Sequence, residues 1–143
     1  MTRPSIFLIV LSLTSTALAD SATDEAFRNL ADEYISDLTN LSPVNATLIG
    51  DHAADGELDQ VDAAGREESL VLLREYKAAL EALDFDQLTR ENQVDAALLL
   101  HNLEAGIWTT ETLQEWAWNP LYYVQLSGSA IYGLLARDYA PLE

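Results

Sequence analysis

The residues of this chain best suited to chemistry are the acids of one short stretch. From Asp51 it reads Asp-His-Ala-Ala-Asp-Gly-Glu-Leu-Asp-Gln-Val-Asp. Against the twelve-position calcium loop, Asp51, Asp55, Gly56, Leu58, Asp59 and Asp62 occupy positions 1, 5, 6, 8, 9 and 12. Calcium takes hard oxygen donors converging on one point, and a glycine midway permits the turn that brings them together. Two positions depart from the pattern. Ala53 stands where a third donor belongs, and Asp62 offers a short carboxylate in place of a bidentate glutamate. Asp51, Asp55, Asp59 and Asp62 are therefore candidate calcium ligands, weighed against a solvated acidic loop that turns at Asp55-Gly56.

The remaining inventory for catalysis is thin. There are two histidines and no cysteine. His101 falls on the apolar stripe of a helical segment, one turn before Glu104, and is expected as a core histidine hydrogen-bonded by a neighbour, with cleft lining as the second reading. His52 follows Asp51 and is expected to be exposed. Neither a His-Glu-x-x-His pair, nor a Gly-x-Ser-x-Gly elbow, nor a phosphate-cradling glycine loop is present, so no catalytic residue and no cofactor are assigned. Asn45-Ala46-Thr47 fits a glycosylation sequon, a single match that carries weight only in a eukaryotic host.

Helices must position whatever function exists, because apolar residues recur at helical steps almost throughout. Ser21-Ala22-Thr23-Asp24 has the form of a capping box, and Phe27, Leu30, Tyr34, Leu38 and Leu41 then follow at three- and four-residue intervals. Ser42-Pro43 reads as an N-cap followed by proline in the first turn, and Gly50 stops this second helix after about two turns. Residues 51–61 form the acidic loop. A third helix runs from Asp62, with Leu72, Tyr76, Ala79, Leu80 and Leu83 along one side. Asp84 to Leu88 make a turn, and Thr89 caps a fourth helix whose early Glu91 suits the helix dipole. That fourth helix carries two stripes: Val94, Leu98, His101, Ala105 and Trp108, and Ala96, Leu99, Leu103 and Ile107. Two apolar faces predict burial on more than one side. Asn119-Pro120 starts a fifth helix through Ser127-Gly128-Ser129-Ala130 towards Tyr139. The fold class is all-α, with four to five helices and no strand.

Composition narrows the setting. Arg3, the apolar run Ile6–Leu13 and Ala17-Leu18-Ala19 make residues 1–19 a signal peptide, with cleavage expected before Asp20. The net charge is −17; removing the leader takes away one arginine and no acid, leaving −18. Such a surface repels nucleic acid and anionic lipid, and no later segment is long and apolar enough to span a bilayer. The expected location is periplasmic or secreted. Without cysteine there is no disulfide and no lipidated N-terminal thiol, so packing must hold the exported fold. The aromatic residues crowd late: all three tryptophans and four of six tyrosines lie between Trp108 and Tyr139. Such a run needs opposing surface to cover it.

Several local patterns then coincide. Leu30-Ala31-Asp32-Glu33-Tyr34, Ser42-Pro43-Val44-Asn45-Ala46-Thr47, Gly50-Asp51-His52 with Asp55-Gly56, Trp118-Asn119-Pro120-Leu121-Tyr122-Tyr123 and Tyr132-Gly133-Leu134-Leu135-Ala136-Arg137 occur in fixed order. From about Phe27 to its last residue the chain resembles the N-terminal part of the exported bacterial proteins grouped as domain of unknown function 885. The resemblance implies a helical zinc metallopeptidase-like protein with a His-Glu-x-x-His motif far downstream. This sequence lacks that motif, and Tyr139-Ala140-Pro141-Leu142-Glu143 reads like the start of another helix. The expectation is that residues 20–143 are the N-terminal part of a longer domain, truncated at 143, forming one wall of a peptide cleft. Its partners would be the rest of the same protein and, in the full-length form, a peptide. Zinc is implied only for the full-length family, and the chain alone is expected to be inactive. The alternative is a stand-alone acidic helical protein binding calcium through the 51–62 loop.

Overall fold

In the computed structural model the described residues run from 22 to 136. The signal segment 1–19, Ser21 of the capping box, Arg137 and the stretch from Tyr139 to Glu143 lie outside them. Helices α1 (Ala22–Leu41), α2 (Pro43–Ile49), α3 (Ala63–Glu81) and α4 (Arg90–Trp108) follow in order, then the one-turn α5 (Glu115–Trp118) and α6 (Pro120–Ala136). A short 3-10 turn at Phe85–Gln87 joins α3 to α4, and a π-helical turn at Thr109–Leu113 leads out of α4. No strand occurs among the described residues. The all-α expectation holds.

The core sits where α1, α3 and α4 meet. Phe27, Leu80, Leu88, Ala96 and Leu103 are buried there, with Leu30, Tyr34, Leu73, Leu83 and Leu99 packed around them. Leu103 is wholly enclosed. The choice of face on α4 corrects the sequence expectation. The stripe of Ala96, Leu99, Leu103 and Ile107 turns inward, whereas Val94, Leu98, His101, Ala105 and Trp108 all face outward. Periodicity alone cannot choose between two apolar stripes on one helix, and α1 and α3 cover only one. His101 is thereby an exposed residue, not the core histidine expected. Ala79, assigned to the inner side of α3, is exposed too.

Capping fixes where the helices begin and end. Asp62 accepts from the Gly65 N–H at 2.9 Å at the head of α3, and Thr89 accepts from the Asn92 N–H at 3.5 Å at the head of α4. Gly65 leaves no room for a side chain: a Cβ there would stand 2.5 Å from the Gln60 carbonyl oxygen. Gly50 ends α2 at a φ of 101°, in the left-handed region glycine enters freely. Ser42, however, makes no side-chain cap of its own. Its hydroxyl donates to Asp59 Oδ2 at 2.9 Å, and Asp59 Oδ1 accepts the Val44 N–H at 3.0 Å. A carboxylate from the far end of the acidic loop thus caps α2.

The deepest polar contact joins α1 to α4. Asp24 is fully buried, and its Oδ1 accepts from the Thr89 N–H at 2.9 Å, the Thr89 hydroxyl at 3.0 Å and the Asn92 side-chain amide at 2.6 Å. Its negative charge also lies at the positive end of the α4 dipole. Asp24 thus caps a helix that begins 65 residues further along the chain. Asp24→Ala would leave these buried donors without their acceptor, at an expected cost of about 3 kcal/mol. Urea unfolding measures it; a loss under about 1 kcal/mol would show the contact to be incidental.

On the other side of the core the Tyr34 and Tyr76 rings meet edge to face, centroids 5.2 Å apart. The Tyr76 hydroxyl donates to Asp37 Oδ2 at 2.6 Å. Burial first, and that hydrogen bond second, push the Tyr76 phenol from 10.0 up to about 12. The folded state therefore holds this proton after the unfolded chain would release it. The associated stability is complete below pH 10 and is lost as pH rises through about 12. Ultraviolet titration should resolve one phenol ionising above the others, and Tyr76→Phe should abolish that step.

Candidate functional site

The four loop acids proposed as calcium ligands are placed by different partners. Asp51 Oδ1 accepts the Ala53 N–H at 3.0 Å, an Asx turn at the loop's start. Asp55 Oδ1 accepts from the Thr47 hydroxyl at 2.7 Å, and His52 Nδ1 lies 3.1 Å from both Asp55 oxygens. The Thr47 hydrogen bond holds the Asp55 carboxyl below the usual carboxylate range, against a smaller opposing effect of desolvation and with help from His52. Asp59 caps α2 and Asp62 caps α3, as described above. Asp55, Asp59 and Asp62 thus fasten the loop to the helices on either side. Among the described residues no group of three or more His, Asp or Glu side chains converges as a metal site would need.

A concavity lies elsewhere, between α1 and α4 on residues that include Asn92 and Thr89 of the Asp24 contact. This groove holds about 580 Å³. Phe27, Ala31, Tyr34 and Leu99 form its apolar floor, and Arg28, Asp32, Glu91 and Asp95 stand around it. Burial raises the Tyr34 phenol, which stays protonated at neutral pH. The groove joins an apolar floor to a mainly acidic rim. It contains neither histidine. Sequence reasoning missed the groove because its lining is split between two helices some 60 residues apart, and no local motif marks such a pairing.

The aromatic segment forms a third feature. Trp116 is half-buried beneath the Arg66 guanidinium, 3.9 Å from its ring centroid, and its indole N–H donates to the Thr110 carbonyl at 3.1 Å. Arg66 is itself held by the Val61 carbonyl at 2.6 Å, and Arg74 pairs with Glu111. The Tyr123 hydroxyl donates to the Trp116 carbonyl at 2.7 Å. These contacts dock the turn after α4 onto α3 and aim α6 back across α2. Trp108 and Trp118 stay over half exposed, at 53% and 61%. The crowding of aromatic residues was legible in the sequence; the cation–π contact that orders Trp116 was not.

Comparison with known proteins supplies context for this geometry. Residues 43–143 match the family model described as bacterial protein of unknown function (DUF885). The solved structure of a "putative lipoprotein of unknown function" from Shewanella oneidensis is similar at 29% sequence identity, with a TM-score of 0.74. The match covers 81% of this chain and 21% of that one. No curated protein matches.

With its carboxylates committed to caps and turns, the loop should bind calcium poorly. Calorimetric titration is expected to give no micromolar site. Tight binding that disappears in Asp51→Ala would establish the loop as a calcium site after all.

Proposed function

This chain belongs to the bacterial DUF885 family of unknown function, and from that membership we propose that it is the non-catalytic N-terminal wall of an exported, helical, zinc metallopeptidase-like protein. The observation that carries the proposal is proportion. Four-fifths of this chain matches one-fifth of a far longer relative; in that protein the matched fold is one part of a larger body, which supports the same role here. Its surface agrees with that role. Val94, Leu98 and Trp108 on α4 are 51%, 58% and 53% exposed, an apolar stripe of the kind that later helices cover. The groove between α1 and α4 opens beside that stripe, where a peptide segment would lie.

Peptidase chemistry comes into this reading from the family resemblance and from residues beyond this chain. Hydrolysis by zinc needs about three protein ligands and a general base. His52 and His101 stand on different elements, both exposed, with no partner motif. The role of residues 22–136 is to shape and support, and the zinc ligands belong to a later helix. Export rests on the leader and on the lipoprotein character given for the relative. This chain has no cysteine to carry a lipid, and no described helix is long and apolar enough to cross a membrane. A periplasmic or secreted protein fits both facts.

The genomic sequence past codon 143 tests the proposal. An in-frame continuation carrying His-Glu-x-x-His is expected, with chelator-sensitive peptidase activity in the longer protein and none in residues 20–143. A continuation with no zinc motif, or a full-length protein indifferent to chelators, would overturn the metallopeptidase reading and leave the family membership intact.

A further inference from the structure

Helix α6 has two unlike faces. Leu126, Ala130 and Gly133 turn towards α2, where the Leu48 side chain comes within 3.7 Å of the place a Gly133 Cβ would occupy. The opposite ridge carries Leu121, Val124, Gly128, Ile131 and Leu135 at steps of three, four, three and four, the spacing of a helix-pairing seam. The four side chains of this ridge are 60%, 62%, 60% and 80% exposed. Apolar residues this open, in this register, await a second helix.

We propose that this protein forms a two-fold dimer by pairing α6 antiparallel with α6 of a second copy. Charge selects that occupant. The chain carries 24 acidic residues against 7 basic, so most approaches between copies are repulsive. Pro120–Ala136 contains no Asp, Glu, Lys or Arg, and two copies meet there without that penalty. The seam is also self-complementary, as a two-fold interface requires. With the axis at Gly128, Leu121 faces the second copy's Leu135 and Val124 faces its Ile131. Gly128 has nothing within 4 Å of a Cβ position, so the two backbones approach closely at the crossing point. The proposal stands apart from the peptidase reading: in a longer family member a later helix competes for the same ridge, and the experiment separates the two.

Because the chain has no cysteine, introduced thiols are the only ones present. Mild oxidation of Leu121→Cys/Leu135→Cys is expected to give a covalent dimer. Leu121→Cys alone should not link, since the two 121 positions then lie about 21 Å apart at opposite ends of the seam. Ile131→Glu places a carboxylate on the ridge and should weaken association about a hundredfold or more by sedimentation, with helix content by circular dichroism unchanged. Should the double cysteine variant fail to fold, Gly128→Cys at the axis gives the same readout. A chain monomeric at micromolar concentrations overturns the dimer and leaves the family reading untouched. Cross-linking by Leu121→Cys alone, or a dimer indifferent to Ile131→Glu, also overturns it.

Discussion

Everything in the described fold depends on a buried carboxylate whose donors come from a helix it does not belong to. Asp24 lies in the first turn of α1, and its acceptor oxygen gathers three hydrogen bonds at the head of α4. An ionised carboxylate without partners would be costly to bury. Here the partners are the N–H and hydroxyl of the N-cap Thr89 and the Asn92 side-chain amide, gathered at the positive end of the α4 dipole. This contact sets the separation of α1 and α4 at one end. The apolar core then holds them to α3 below it, and the groove opens beside it.

The same device recurs on a smaller scale through the acidic loop. Asp59 reaches back to cap α2, Asp62 caps α3, and Asp55 ties Thr47 to the loop. A chain of charge −17 without disulfides gains much of its local order by spending carboxylates on backbone N–H groups and hydroxyls. Acidic composition here is partly a capping inventory.

The sequence made the helices legible because their boundaries are written locally. Pro43, Gly50, Asp62, Thr89 and Asn119-Pro120 mark helix ends in the structure as expected. What it hid were choices made at a distance. The capping roles of Asp24 and Asp59 depend on partners 65 and 15 residues away. The two stripes of α4 look alike by composition, and only the placement of α1 and α3 decides that Leu103 is enclosed and His101 open. The segment from Thr109 to Trp118 was legible only as an aromatic crowd, since a π turn has no strong residue signature. The candidate groove was illegible for the same reason as the caps: tertiary pairing brings its lining together.

That π turn has a mechanical meaning for the molecule. Thr109–Leu113 inserts one residue more than an α-helical turn would hold, and Gln114 closes it in the left-handed region at a φ of 52°. Each residue of an α-helix advances the chain by about 100° around its axis. The extra residue therefore works as a phase shifter between the packed body and everything after it. Losing one residue there would let α4 run on regularly, yet it would swing the Trp116 anchor away from Arg66 and point α6 off α2. The heading of α5 and α6 is set by a single surplus residue.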